Sequence, residues 1–216
     1  MIIETIRDPA GFSPAMHGMR NPKDSWLLSD SEFDFGEIDE PIEEWYVIGP
    51  KDQELSEKLQ KAGPEHCKHT RMIFVWADIT APLYWHKQLD TYRVGVEKIS
   101  CSTMHKLGSR LLTPDDFEHD SINTKYFSDM LENLNGSIEA YQLCKDPDHK
   151  QDIWRGIVQA LPECYLQKRT VCFSYAALRN IVRQRMHHKL PEWEYFCRWA
   201  KSLPNSWMIF DEGENK

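Results

Sequence analysis

The sequence predicts an α+β fold, a small mixed or antiparallel sheet packed against several helices, in one domain spanning residues 1–216. Three observations predict it. Short runs rich in β-branched and aromatic residues are separated by longer segments whose apolar residues recur every three to four positions. The 216 residues, 41% of them hydrophobic, suffice for a sizeable core. No internal repeat, low-complexity tract or clear linker divides the chain.

Taken in order, residues 2–6 read as a short strand, and "GFSPAMHGMRNPKDSW" as loop with a short helix, broken by Gly and Pro. Residues 30–44 carry eight acids and no Lys or Arg, the pattern of a solvated acidic loop rather than a docking segment. "PKDQELSEKLQKAG" reads as a helix entered at Pro50 and stopped at Gly63. Residues 71–79, "RMIFVWADI", read as a strand. Pro82 then suits the first turn of a helix, where its missing N–H costs nothing. In that helix Trp85, Leu89 and Tyr92 form an apolar stripe, and His86, Asp90 and Arg93 a second face of ionisable groups. Residues 94–110 read as loop with a short helical piece, 124–145 and 148–160 as helices, 167–175 as a strand. "AALRNIVRQRMHH" and "PEWEYFCRWAKSL", the latter opened by Pro191, close the chain as helices.

The formal charge of −8 argues against a general binder of long nucleic acid or of membrane surfaces, which would be basic. No apolar run reaches membrane-span length, and "MIIETIRDPAGF" lacks the basic and apolar regions of a signal peptide. The six cysteines include no C-x-x-C pair, so reduced thiols and a cytoplasmic setting are expected. Against the acidic background, residues 168–189 hold Lys168, Arg169, Arg179, Arg183, Arg185 and Lys189 with no acid. Arg179, Arg183 and Arg185 cannot all face one way on a helix, but two of them can line a phosphate site; the alternative is a solvated basic face. "HCKH" at 66–69 has metal-ligand residue types without a second spaced pair, so no metal is expected. "MHH" at 186–188 reads as a helix end, where His suits the dipole. Cys101, between Ser100 and Ser102, is a candidate nucleophile if a neighbour lowers its pKa, and otherwise an inert thiol.

The order of these segments resembles the flavin-dependent thymidylate synthases. In that family a strand runs through Ala-Pro into a helix bearing Gln and then Arg-His-Arg, with a Ser eight residues beyond the last Arg. "ITAPLYWHKQLDTYRVGVEKISC" keeps Ala81-Pro82, Gln88 and Arg93 in step. "LPECYLQKRTVCFSYAALRNIVRQR" keeps Leu161-Pro162, Leu178, Asn180 and Arg185, and "PEWEYF" follows like the family's Gln-Trp-Glu segment. Upstream, Arg20 and Ser25 look like the early segment that touches flavin, and "GPEHCKH" sits where the family has a His-Glu loop. The resemblance spans residues 12–205. It departs from the family at Thr91-Tyr92 within the Arg-His-Arg triplet, at Cys101 for Ser, at Thr103 for the next Arg, and at Val158 for the Arg before Leu-Pro, with Arg155 one turn away.

The resemblance implies a homotetramer that binds FAD and uses NADPH and methylene-tetrahydrofolate to carry a one-carbon unit to C5 of a pyrimidine deoxynucleotide, dUMP or a relative. It places Arg185, with Arg155 or Arg179, at the phosphate, Gln88 and Ser102 at the nucleotide, and Arg93, Arg20, Ser25, His66 and His86 at flavin. Cys101, Gln88 and Tyr92 are then the candidate catalytic residues. The altered side chains suit a changed product, such as hydroxymethylation, or a non-catalytic module that kept the fold and lost flavin. A hydrolase built on His66, His69 and His105 is the remote alternative.

Overall fold

The structure, a computed structural model, describes residues 1–34 and 46–210. The acidic loop expected at 30–44 falls mostly outside the described residues. Strand β1 (Ile2–Ala10) opens the chain and runs four residues further than residues 2–6. Helix α1 (Phe12–Arg20) buries Phe12, Ala15, Met16 and Met19. The backbone turns into α1 at Gly11, whose φ of +99° and whose approach to Met72 O leave no room for a Cβ, which would lie 2.2 Å from that oxygen. Two short strands, β2 (Glu32–Phe33) and β3 (Tyr46–Val47), pair antiparallel in the register Glu32 to Val47 and Phe33 to Tyr46. Helix α2 (Pro50–Ala62) begins at Pro50 and ends before Gly63, at φ +113°, as the sequence predicts.

Strand β4 (Phe74–Pro82) leads directly into α3 (Leu83–Leu89). Pro82 is thus the last strand residue, in extended conformation, and not the first turn of the helix. The first free N–H groups of α3, on Leu83 and Tyr84, donate to the carbonyls of Tyr165 and Glu163 at 3.0 and 3.2 Å in place of a side-chain cap. The helix is also shorter than expected. Thr91 N and Oγ1 both donate to the Gln88 carbonyl, so the chain turns there and Asp90 and Arg93 leave the helix. The single polar face of His86, Asp90 and Arg93 therefore does not form.

Strand β5 (Val96–Ser100), read as loop from the sequence, is followed by the four-residue α4 (Thr103–Lys106). Then come α5 (Thr124–Leu143), α6 (Pro147–Ala160), β6 (Leu166–Ser174), α7 (Tyr175–Arg185) and α8 (Pro191–Lys201). Asn123 caps α5 and Asp146 caps α6, each accepting a backbone N–H from three residues on. The main sheet has the order β1–β4–β6–β5, so β4 and β6 are central and buried on alternate residues while β1 and β5 are edges.

The chain forms two compact units. The first comprises Met1–Ile2, Ile79–Thr91 and Ile99–Arg169. Its core joins Phe127, Leu134 and Ile138 of α5 to Ile157 of α6, with Leu107, Leu112 and Phe117 from the loop before α5. Asn135 holds that loop by bonding both the N–H and the carbonyl of Leu112. The second unit comprises Ile3–Asp78, Tyr92–Lys98 and the chain from Thr170 onward. There Phe173 meets Phe196 at 5.6 Å between ring centroids, and Phe196 meets Trp193 at 5.6 Å, both edge to face. Among the described residues no helix is long and apolar enough to cross a membrane.

Candidate functional site

Within the second unit, the C-terminal end of α1 delivers Arg20 to a cavity of about 250 Å³. His17, Trp26, Phe33 and Tyr46 line it with rings, Ser13, Ser29 and Ser31 with hydroxyls, and Glu32 with a carboxylate. His17 stacks on Trp26 with centroids 6.0 Å apart and planes 16° from parallel. Arg20 is only 4% exposed. Its Nε donates to Asp52 Oδ1 at 2.5 Å and its Nη1 to the Ser25 carbonyl at 3.3 Å. Asp52, in the first turn of α2, is fully buried, and its Oδ2 accepts the hydroxyls of Ser29 and Ser31 at 2.5 and 2.6 Å. Asp30 accepts the N–H groups of Lys51 and Asp52, and the Lys51 bond foremost holds its carboxyl below the usual range. Arg20 and Ser25 are thus brought together, with the Arg20 charge already matched by Asp52. The cavity suits a planar ring of an uncharged group better than a free anion.

A second cluster of the same unit surrounds Arg185, in the last turn of α7. Its Nε donates to the Tyr92 hydroxyl at 2.8 Å, and that hydroxyl lies 3.0 Å from Gln184 Oε1. The guanidinium carbon stands 4.8 Å from the Trp193 ring centroid and 5.6 Å from that of Tyr92. Neither terminal amino group of Arg185 makes a hydrogen bond among the described residues. Trp193 comes from α8, whose Pro191 sets its first turn. Tyr92 is brought in by the turn after α3, and Gly95, at φ +70°, packs that turn so closely on Ser174 that a Cβ would sit 2.3 Å from its hydroxyl oxygen. A guanidinium held this way can receive an oxyanion on two parallel N–H bonds.

In the first unit a third set gathers where β6 begins. Arg169 donates from Nε to Gln167 Oε1 at 2.9 Å and from Nη1 to Asp90 Oδ1 at 2.8 Å. Gln167 Nε2 donates to the Cys101 carbonyl, and Cys101 N–H to the Lys168 carbonyl. The Cys101 side chain is exposed, and no base is hydrogen-bonded to its thiol among the described residues. Gln88 and Ser102 are half-buried in the same unit, and Arg155 is exposed on α6.

Two expected ligand contacts are corrected by their surroundings. His86 has no exposed surface, and its Nε2 lies 2.8 Å from the Gln167 carbonyl of β6. It braces strand against helix and offers no edge to flavin. Arg179 is 8% exposed and donates to Gln60 Oε1 and to the Met208 carbonyl. That leaves it a core residue rather than a phosphate ligand. Tyr92, expected to be catalytic, is buried and engages Arg185. Arg93 and His66 are exposed. His69 turns inward to Ser56, away from the exposed His66, and no group of three His, Cys, Asp or Glu could hold a metal among the described residues. The side chain of His105 lies outside the described ones.

Of the residues singled out through the family order, Arg185, Arg20 and Ser25 lie in these clusters. The sequence carried no sign of Asp52 and marked Arg169 only as part of the basic run, because their partners lie 32 and 79 residues away. Trp193 was visible only as part of "PEWEYF".

No model of a known protein family matches the sequence, and no curated protein matches it. Solved structures do. Flavin-dependent thymidylate synthase ThyX from Helicobacter pylori, complexed with FAD and dUMP, aligns over 98% of both chains with a TM-score of 0.69 and 16% identity. A second structure of Thymidylate Synthase X from that organism, with FAD and dUMP, gives 0.68 and 17% over 98% of both chains. The UMP/dUMP methylase PolB from Streptomyces cacaoi, bound with 5-Br dUMP, gives 0.61 and 14% over 97% of this chain and 95% of that one. The chain therefore has the flavin-dependent thymidylate synthase fold over its length, an α+β architecture as the sequence predicts.

Proposed function

We propose that this chain is a flavin-dependent enzyme that transfers a one-carbon unit from methylene-tetrahydrofolate to C5 of dUMP or a related pyrimidine nucleotide. The observation that carries the reading is the Arg185 cluster, a guanidinium pre-oriented at the end of α7, in a chain whose fold is shared with a structure complexed with FAD and dUMP. Arg185 would take the nucleotide phosphate. In the first unit, Gln88 and Ser102 are the groups proposed for a base and sugar, Arg155 for a phosphate, and Cys101 is the candidate nucleophile.

The cavity at Arg20 fits one planar ring of FAD rather than the whole dinucleotide, because it is aromatic-lined and small. Arg20, Ser25, Arg93 and His66 would hold the rest of that cofactor. Bound FAD would supply hydride chemistry fed by NADPH, while the chain's own groups bind, orient and exclude water. The chain would act as a single domain, in a homotetramer located in the cytoplasm, and its product would be the methylated or hydroxymethylated nucleotide.

One observation favours a second reading, a nucleotide-binding module without flavin. His86 and Arg179 serve internal packing, and Thr91 and Thr103 replace family arginines. The visible spectrum of natively purified protein, before and after addition of FAD and desalting, separates the two. A retained flavin absorption band, followed by one-carbon transfer to dUMP or dCMP, is the expected result. A colourless protein that retains no FAD yet binds dUMP would establish the second reading in its place.

A further inference from the structure

The hydrogen bonds around Tyr92 run in one direction. Arg185 Nε can only donate, so the Tyr92 oxygen accepts from it at 2.8 Å. The phenolic proton then goes to the Gln184 Oε1 atom, 3.0 Å away. That orients the Gln184 amide so that its Nε2 donates to Asn180 Oδ1, also at 3.0 Å. The chain Arg185 to Tyr92 to Gln184 to Asn180 is a continuous relay, and three of its four members lie on α7 within about one turn of the next.

The rings complete the constraint. Tyr92 and Trp193 meet at 6.2 Å with planes 70° apart, and the guanidinium lies over both. A guanidinium has two bidentate edges, one through Nε and a terminal amino group, the other through the two terminal amino groups. Tyr92 occupies Nε, which leaves the end-on edge alone.

We infer that Tyr92 is a positioning residue that restricts Arg185 to end-on, bidentate capture of a terminal phosphate. The inference rests on the nucleotide reading above for the identity of the anion, but the orientation of Arg185 by Tyr92 stands apart from it. Tyr92 thereby sets specificity for the phosphorylated nucleotide over its nucleoside, without touching the substrate.

The test pairs a ligand-free readout with a double-mutant cycle. In the full-length protein the Arg185 Nε–H should give an exchange-protected NMR signal, and Tyr92→Phe, which keeps the ring, should lose it. With FAD present, calorimetry should show Tyr92→Phe raising the Kd for dUMP about tenfold, the size of one lost hydrogen bond to a charged group. In an Arg185→Lys background the same change should add less than about twofold, because its only route of action is gone. An unprotected Nε–H in the unaltered protein, or penalties that multiply in the double variant, would overturn the inference. A protected Nε–H that Tyr92→Phe abolishes, in a protein that binds no dUMP, would support the positioning role and sink the nucleotide reading instead.

Discussion

Replacing Asp52 by alanine is expected to cost about 3–5 kcal/mol of folding stability, because it breaks a buried ion pair and leaves one charge behind. Asp52 has no exposed surface and Arg20 only 4%. Removal of the carboxylate strands the Arg20 guanidinium, which keeps only the Ser25 carbonyl, and also takes the acceptor from Ser29 and Ser31. The backbone bonds from Lys51 and Asp52 to Asp30 remain, so α2 still starts at Pro50. The loss therefore falls on the packing of α1 against α2 rather than on helix formation.

For a chain of this size, such a change lowers Tm by roughly 6–20 °C. Urea unfolding should show a lower midpoint at unchanged slope. Lys58→Ala is the control, because its ion pair with Glu54 is 69% and 65% exposed and should contribute less than about 1 kcal/mol. If both variants shift the midpoint alike, the Arg20–Asp52 pair is not an anchor of the second unit. Asp52→Asn should fall between the two, since it keeps acceptor and shape but leaves Arg20 with a net charge. Under the proposed function, both Asp52 variants should also retain less FAD, because the floor of the aromatic cavity has moved.

The parts of this arrangement that were legible in the sequence are those governed by local rules. Gly63 and Pro191 punctuate helices through backbone geometry, and β4 and β6 read as strands because their β-branched and aromatic residues favour extended backbone. Strand β5 escaped because an edge strand needs little burial: of "VEKIS" only Val96 is buried, while Ile99 points to solvent. The end of α3 escaped because a threonine hydroxyl and a glycine-led turn decide it, and neither disturbs the apolar spacing of Trp85, Leu89 and Tyr92, all of which are buried as expected.

Site residues divide on the same line. His86 and Arg185 are both polar residues near family motifs, and spacing alone cannot show that one faces a strand carbonyl 81 residues away and the other an aromatic pair. On α7, Arg179 and Arg185 lie six residues apart and so project differently, yet only the tertiary partner Gln60 shows which of them is spent inside. Asp52 looks from sequence like an ordinary acid at a helix start, where the dipole alone would explain it.

Acidification from pH 7 to pH 4.5 is expected to destabilise the protein by up to about 3 kcal/mol through His69 alone. His69 is 4% exposed, with Nε2 2.8 Å from the Ser56 hydroxyl. Ser56 also receives Gln60 Nε2, and Gln60 in turn receives Arg179. His69 Nδ1 has no hydrogen-bond partner among the described residues. A proton on the ring would thus create a buried cation with an unsatisfied N–H, facing the Arg179 guanidinium. Burial first, and Arg179 second, push its pKa from 6.5 down to about 4. The unfolded chain therefore binds a proton as pH falls through 6.5, while the folded chain resists until about 4, so stability drops across that window and levels off below it.

The carboxylates held low by their partners, Asp30, Glu54 and Asp116, lose their contributions only below their unfolded values of 3.8 to 4.5. They do not fill the same window. His188, depressed by desolvation, has the same sign but is far more open to solvent. Comparing unfolding free energies of the unaltered protein and of His69→Gln at pH 7, 6 and 5 isolates the share of His69. The variant should start lower at pH 7 and lose less on acidification, so the two curves converge. Parallel curves would place the acid sensitivity elsewhere and would mean that the Ser56–Gln60–Arg179 network accommodates a charged imidazole.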